Sequence, residues 1–108
     1  MPKSAFLGEW EQLVLLGLLR LGEDAHVLDL RNHLSDVIGR RVARGALYRT
    51  LERLEEKRYI RWVLEAPGPG RGGHPRRRFL ITKPGIAALS ASRHALLHLW
   101  KGFEGVLE

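Results

Sequence analysis

The chain has 108 residues, 44% of them apolar, which is enough for one modest core and too many for a disordered chain. It has no cysteine, which excludes a disulfide framework, a thiolate nucleophile and a cysteine-based zinc site. The net charge of +6 is unevenly placed: twelve Lys/Arg stand against four acids between Arg40 and Arg78, while the rest holds six basic and eight acidic residues, as expected when one face meets a polyanion.

Residues Phe6 to Leu21 read as a first helix, with Trp10, Leu13, Val14, Gly17, Leu18 and Leu21 stepping by three and four along one buried stripe. Leu15, Leu16 and Leu19 broaden that stripe beyond what a small monomer needs. The apolar run Leu13–Leu19 is too short to span a bilayer, and the Met-Pro-Lys-Ser start opens no secretory region, so a cytoplasmic protein without a membrane partner is expected. Gly22-Glu23-Asp24 breaks the helix. A second helix is expected from Ala25 to Ile38, burying Val27, Leu30, Leu34, Val37 and Ile38. Gly39 is placed to stop it in a left-handed conformation.

After the extended Arg40-Arg41-Val42, a third helix is expected from Ala43 to Lys57 on a narrow core stripe of Leu47, Leu51 and Leu54. Tyr59 to Glu65 alternates as a strand with Ile60, Trp62 and Leu64 on one side. Pro67 to Pro75 is a loop too rich in Gly and Pro for regular structure. Arg76 to Thr82 resumes as a strand with Phe79 and Ile81 facing one way, giving a β-hairpin with a long tip. Thr82 caps a last helix with Pro84 in its first turn. Leu89, Ser92, Leu96, Leu99, Phe103 and Val106 form an a/d seam along it, and Gly102 and Gly105 suggest a frayed end. The order predicts a mainly α fold with a small β-hairpin: a winged helix-turn-helix over 1–82 and a dimerisation helix over 83–108.

The chemistry-bearing candidates follow from that order. A helix-turn-helix puts the N-terminal part of its second helix nearest the bases, here Arg41, Arg44, Gly45, Tyr48 and Arg49, with Arg53 one turn on. Arginine can bond guanine edges or phosphates through two parallel N–H groups. Gly45 would let the backbone come close, and Tyr48 could donate to a phosphate. The bland alternative is a solvated face whose arginines are balanced by Glu52, Glu55 and Glu56. Arg71, His74, Arg76, Arg77 and Arg78 crowd the hairpin tip, where arginines can read groove width and backbone charge. A nucleotide phosphate loop is excluded, because the Gly-rich stretch joins two strands and no Gly-Lys-Ser/Thr follows.

His94 and His98 sit one helical turn apart but lack further ligands, so neither a metal nor a cofactor is expected. His26 and His33 read as ordinary helix residues. No Ser/His/Asp set or acid pair marks a catalytic site, and the chain is not expected to be an enzyme. Trp10, Leu13, Val14, Leu96, Leu99, Trp100 and Phe103 are candidates for a dimer interface, with a pocket for a small hydrophobic effector as the sharper version.

Three of these stretches resemble the PadR family of regulators: Leu13-Val14-Leu15-Leu16 through Leu21-Gly22-Glu23-Asp24-Ala25; Arg44-Gly45-Ala46-Leu47-Tyr48-Arg49-Thr50-Leu51-Glu52-Arg53-Leu54-Glu55-Glu56; and the Gly/Arg-rich wing followed by Phe79-Leu80-Ile81-Thr82-Lys83-Pro84-Gly85. The resemblance implies a homodimeric transcription factor, usually a repressor, that binds double-stranded DNA at a pseudo-palindromic operator. It puts Arg44, Tyr48 and Arg49 at DNA and Arg71 to Arg77 in the wing. It also implies a single short C-terminal helix packed on the first helix of the partner. Two positions depart from the family pattern: His26-Val27 stands where Tyr-Gly is common, and Arg58 occupies a turn that usually holds Gly. The competing reading is a winged helix that docks on another protein without touching DNA.

Overall fold

The computed structural model describes residues 6–66 and 74–107. The elements run α1 (Glu9–Leu21), a 3-10 turn (Gly22–Asp24), α2 (Val27–Ile38), α3 (Arg44–Glu56), β1 (Ile60–Glu65), β2 (Arg76–Ile81), α4 (Lys83–Trp100) and a final 3-10 turn (Glu104–Leu107).

Helix α1 starts at Glu9, not Phe6, because the residues before it are held extended: the Leu7 N–H donates to Ser92 Oγ at 2.9 Å. The Gly8 N–H donates to Glu11 Oε1 at 3.2 Å, so the third residue of the helix satisfies one of the open amides at its start. Val14, Leu15, Gly17 and Leu18 face inward while Leu16 and Leu19 lie exposed. Leu15 thus belongs to the core, and only Leu16 and Leu19 remain as surplus. Helix α2 starts at Val27 because Ala25 sits in a tight turn and His26 is extended, and the Ala25 carbonyl accepts the Phe79 N–H at 2.9 Å. Gly39 ends α2 at φ 74°, the left-handed turn expected of it, while Val37 stays exposed outside the expected stripe.

The core is a leucine cluster. Val14, Leu15, Leu30, Leu34, Leu47, Leu54 and Ile60 are fully buried and join α1, α2, α3 and the base of β1. Each such side chain contributes roughly 1.5–3 kcal/mol. Strands β1 and β2 pair antiparallel from Ile60↔Ile81 to Glu65↔Arg76, so Ile60, Trp62 and Leu64 share a face as expected. Exposure rises along that face as the hairpin leaves the core, from 2% at Ile60 to 62% at Leu64.

The turn out of α3 has an unusual occupant. The Tyr59 N–H bonds the Leu54 carbonyl and the Arg58 N–H bonds that of Glu55, a reciprocal pair that requires a left-handed residue between them. Arg58 takes that role at φ 64°. Thr82 then ties both ends of the hairpin, its hydroxyl donating to the Arg58 carbonyl at 2.7 Å and accepting from Gly85 N–H at 3.2 Å as the α4 cap. At Gly85 a Cβ would run into the Tyr59 carbonyl oxygen, so only glycine lets α4 leave the sheet this closely.

Helix α4 is shorter than the seam read from the sequence. It ends at Trp100, and the chain turns off at Gly102 (φ 92°), so Phe103 and Val106 lie beyond the helix. Its first half belongs to the winged body, with Ala88 in the core and Ser92 buried against Leu7. Ser92 therefore packs inside the subunit instead of along the expected seam.

Two outcomes test these assignments. Arg58→Gly should raise stability by about 1 kcal/mol in urea unfolding, because glycine lacks the Cβ that strains this backbone; an unchanged midpoint would mean that Arg58 pays no such strain. The second concerns Glu11, whose Oε2 accepts from Lys57 Nζ at 2.8 Å and ties α1 to the end of α3. Burial pushes its carboxyl up, but the bonds from Lys57 and Gly8 and the charges of Lys57 and Arg53 outweigh that and hold it below its ordinary 4.5. Its contribution is complete above about pH 4.5 and fades as pH falls through the lowered value. Glu11→Gln should flatten the stability loss in this acid range, and an unaltered pH profile would remove the bridge from the account.

Candidate nucleic-acid interface

Helices α2 and α3 are joined by a turn that their own side chains pin. Arg31 Nε donates to the Val42 carbonyl at 2.8 Å, and Ser35 Oγ accepts the Val42 N–H at 3.0 Å while donating to the Arg31 carbonyl. Val42 is buried, so the chain enters α3 at a fixed angle. The N-cap residue, Ala43, offers no side-chain acceptor, so it makes no side-chain cap bond to the opening amides of α3.

Leu47, Thr50, Leu51 and Leu54 form the buried side of α3. Arg41, Arg44, Gly45, Arg49 and Arg53 are exposed, and Tyr48 is half-buried on the flank. A Cβ on Gly45 would meet only Arg49 Nη1, at 3.7 Å, so the Arg49 guanidinium reaches back over the first turn of the helix. Among the described residues Arg44, Arg49 and Arg53 make no ion pair, although Arg53 acts on Glu11 at longer range. The nearby Glu52, Glu55 and Glu56 therefore do not lock these arginines.

On the hairpin, His74, Arg76 and Arg77 are exposed, while Arg71 lies outside the described residues. Arg77 packs its guanidinium over Trp62 and Phe79, 5.1 and 5.6 Å from the ring centres, an arrangement that steadies the cation while leaving it in contact with solvent. Arg78 differs from its neighbours: its Nε donates to Glu65 Oε2 at 2.9 Å, so it is a structural cation. His26, read from the sequence as an ordinary helix residue, is 6% exposed, and its Nε2 lies 2.7 Å from Glu65 Oε1. That contact, followed by the bond from Arg78, holds the Glu65 carboxyl below its ordinary value. The signal sequence reading missed was pairing across the fold: nothing local marks residues 26 and 65 as neighbours.

The second surface lies between α1 and α4. Leu16, Leu19, Ile86, Leu96, Leu97 and Trp100 line an open apolar groove of about 530 Å³, with Gln12, Ser90 and Arg93 at its polar positions. The interface candidates on α1 lie against the subunit's own core. Val14 is wholly buried inside the subunit, and Trp10 and Leu13 are half-buried against the same core. One step along the helix period, Leu16 and Leu19 hold the outward positions instead. Leu96, Leu99, Trp100 and Phe103 are exposed. His94 and His98 are exposed on α4, and no group of three or more metal-binding side chains occurs among the described residues. No helix among them is long and apolar enough to cross a membrane.

Comparison with known proteins gives a consistent picture. The transcriptional regulator PadR-like family matches residues 15–91, which include α2, α3 and both strands. A PadR family transcriptional regulator from Eggerthella lenta is similar in structure, with a TM-score of 0.65 and 27% identity over 90% of this chain and 82% of that one. A PadR-like transcription factor from Bacteroides fragilis has a TM-score of 0.68 at 20% identity, over 90% and 88% of the two chains. Pex from Synechococcus, at 21% identity and a TM-score of 0.58 over 84% of each chain, shares the fold. No curated protein matches in sequence.

Proposed function

We propose that this chain, which belongs to the transcriptional regulator PadR-like family, is a cytoplasmic, sequence-specific DNA-binding regulator that works as a homodimeric repressor. The family is one of transcriptional regulators, not enzymes. The observation that carries the DNA reading is the exposed arginine set of α3, which makes no ion pair among the described residues. In the proposed complex the first turn of α3 enters the major groove. Arg44 and Arg49 reach base edges or phosphates, Tyr48 contacts the backbone, and Arg41 and Arg53 flank them. His74, Arg76 and Arg77, with Arg71 from the loop, supply the wing contacts.

The dimer reading rests on α4. Leu96 and Leu97 are each 49% exposed and Leu99 is 74% exposed, beside the exposed Leu16 and Leu19 of α1. The radius of gyration, 15.8 Å, exceeds the roughly 13 Å of a compact chain this long. A second copy would cover this apolar face by the same patch on both subunits. Two recognition helices held that way would reach successive major grooves about 34 Å apart. A small hydrophobic effector entering between the copies beside Trp100 would alter that spacing and release DNA.

DNA binding should weaken steeply with salt, by roughly a hundredfold between about 50 and 200 mM if about four phosphates are neutralised. Arg49→Ala should cost about 1–3 kcal/mol of operator affinity if Arg49 reads a base. Salt-independent binding would contradict the reading, and an unaltered affinity would remove Arg49 from the interface. Leu97→Asp should shift the protein from dimer to monomer in analytical ultracentrifugation while leaving the helical signal intact, since Leu97 is half-exposed in one subunit. A dimer that survives this change would place the interface elsewhere.

A further inference from the structure

The hairpin is fastened to the helix-turn-helix by two consecutive residues, Ala25 and His26. The Ala25 carbonyl takes the Phe79 N–H at 2.9 Å, near the middle of the β-ladder. His26 Nε2 meets Glu65 Oε1 at 2.7 Å at the outer end of β1, and Glu65 Oε2 takes Arg78 Nε of β2 at 2.9 Å. Phe79 pairs with Trp62, three residues before Glu65, so the two strand residues held lie about 10 Å apart at the backbone, with the Glu65 carboxylate reaching back to Arg78. Thr82 and the buried Ile60 and Phe79 already anchor the base of the hairpin, so the side-chain hold acts on the inclination of its outer part. The side-chain hold is also the stronger in kind, because a carboxylate that accepts from a ring N–H and a guanidinium makes charge-assisted bonds. His26 is 6% exposed, its Nδ1 lies 3.5 Å from Asp29 Oδ2, and it stands at the N-cap position of α2 without a side-chain cap bond; the other end of that helix positions α3.

We propose that His26 is a positioning residue for the wing: through Glu65 and Arg78 it sets the tilt of the hairpin against the α2–α3 pair, and so decides whether Arg76 and Arg77 reach a duplex that α3 already engages. The DNA half of this inference rests on the function proposed above; the mechanical half does not.

The test measures amide hydrogen exchange across β1 and β2 together with the salt dependence of binding to a 20-base-pair random-sequence duplex. His26→Ala should speed exchange in the outer half of the hairpin by about tenfold, with the buried amides of α1 and α3 unchanged. It should also make the log–log salt slope shallower by about two, as one wing cation in each of the two subunits loses its phosphate. His26→Gln, whose amide N–H can replace Nε2–H, should restore both readouts, which a loss of packing alone would not allow. Should His26→Ala fail to fold, Glu65→Ala removes the same hold from a partly exposed strand end and should reproduce both effects. Wing exchange that is unchanged in His26→Ala or Glu65→Ala, or unrestored by His26→Gln, overturns the proposal. A wild-type protein with no salt-dependent affinity for the duplex would sink the DNA reading instead, and the exchange measurement would still decide the fastening.

Discussion

Everything in this structure depends on how little of α3 the core consumes. Leu47, Thr50, Leu51 and Leu54 occupy one narrow stripe against α1, α2 and the base of β1, and that stripe is enough to fix the helix in place. The rest of its circumference is left to polar side chains, and arginines fill the N-terminal part of it. A wider apolar stripe would have buried the positions now held by Gly45 and Arg49. A narrower one would have left the helix unanchored, since isolated helices of this length are marginal in water.

The surrounding elements restrain α3 and the hairpin with few bonds, each placed where it has leverage. Arg31 and Ser35 close the turn before α3, and the left-handed Arg58 closes the turn after it. Thr82 links that second turn to the start of α4, and Gly85 lets the two backbones touch. These are backbone-satisfying contacts, in which the cost of leaving a buried donor or acceptor unpaired matters more than the net strength of any one bond. The chain is thereby divided between a rigid body and one apolar face on α1 and α4 that the subunit itself does not cover.

The element order, the core stripe of α3, the Gly39 stop and the Thr82 cap were all legible in the sequence, because each is set by spacing or by a residue's local conformational preference. The family pattern was legible for the same reason. What escaped were features made by contacts distant in sequence. Ser92 looks like a seam residue until Leu7 is seen to donate to its hydroxyl. Arg78 is indistinguishable from Arg76 and Arg77 in the sequence, yet Glu65 claims it. His26 is the sharpest case: its neighbours in the chain suggest a helix surface, and only the fold brings it to the wing. For α4 the glycine at 102 was a visible hint that an a/d pattern alone overrode.

The central claim is that two copies, joined through α1 and α4, hold their recognition helices at a spacing suited to duplex DNA. The absence of cysteine makes a direct measurement simple, since Glu52→Cys on the exposed side of α3 would be the one labelled site in each subunit. Electron–electron dipolar spectroscopy on the spin-labelled protein should give a single narrow intersubunit distance on the order of 34 Å that persists when duplex is added. A protein with no intersubunit dipolar signal, or with a distance too long for helices in successive major grooves of one duplex, would contradict it.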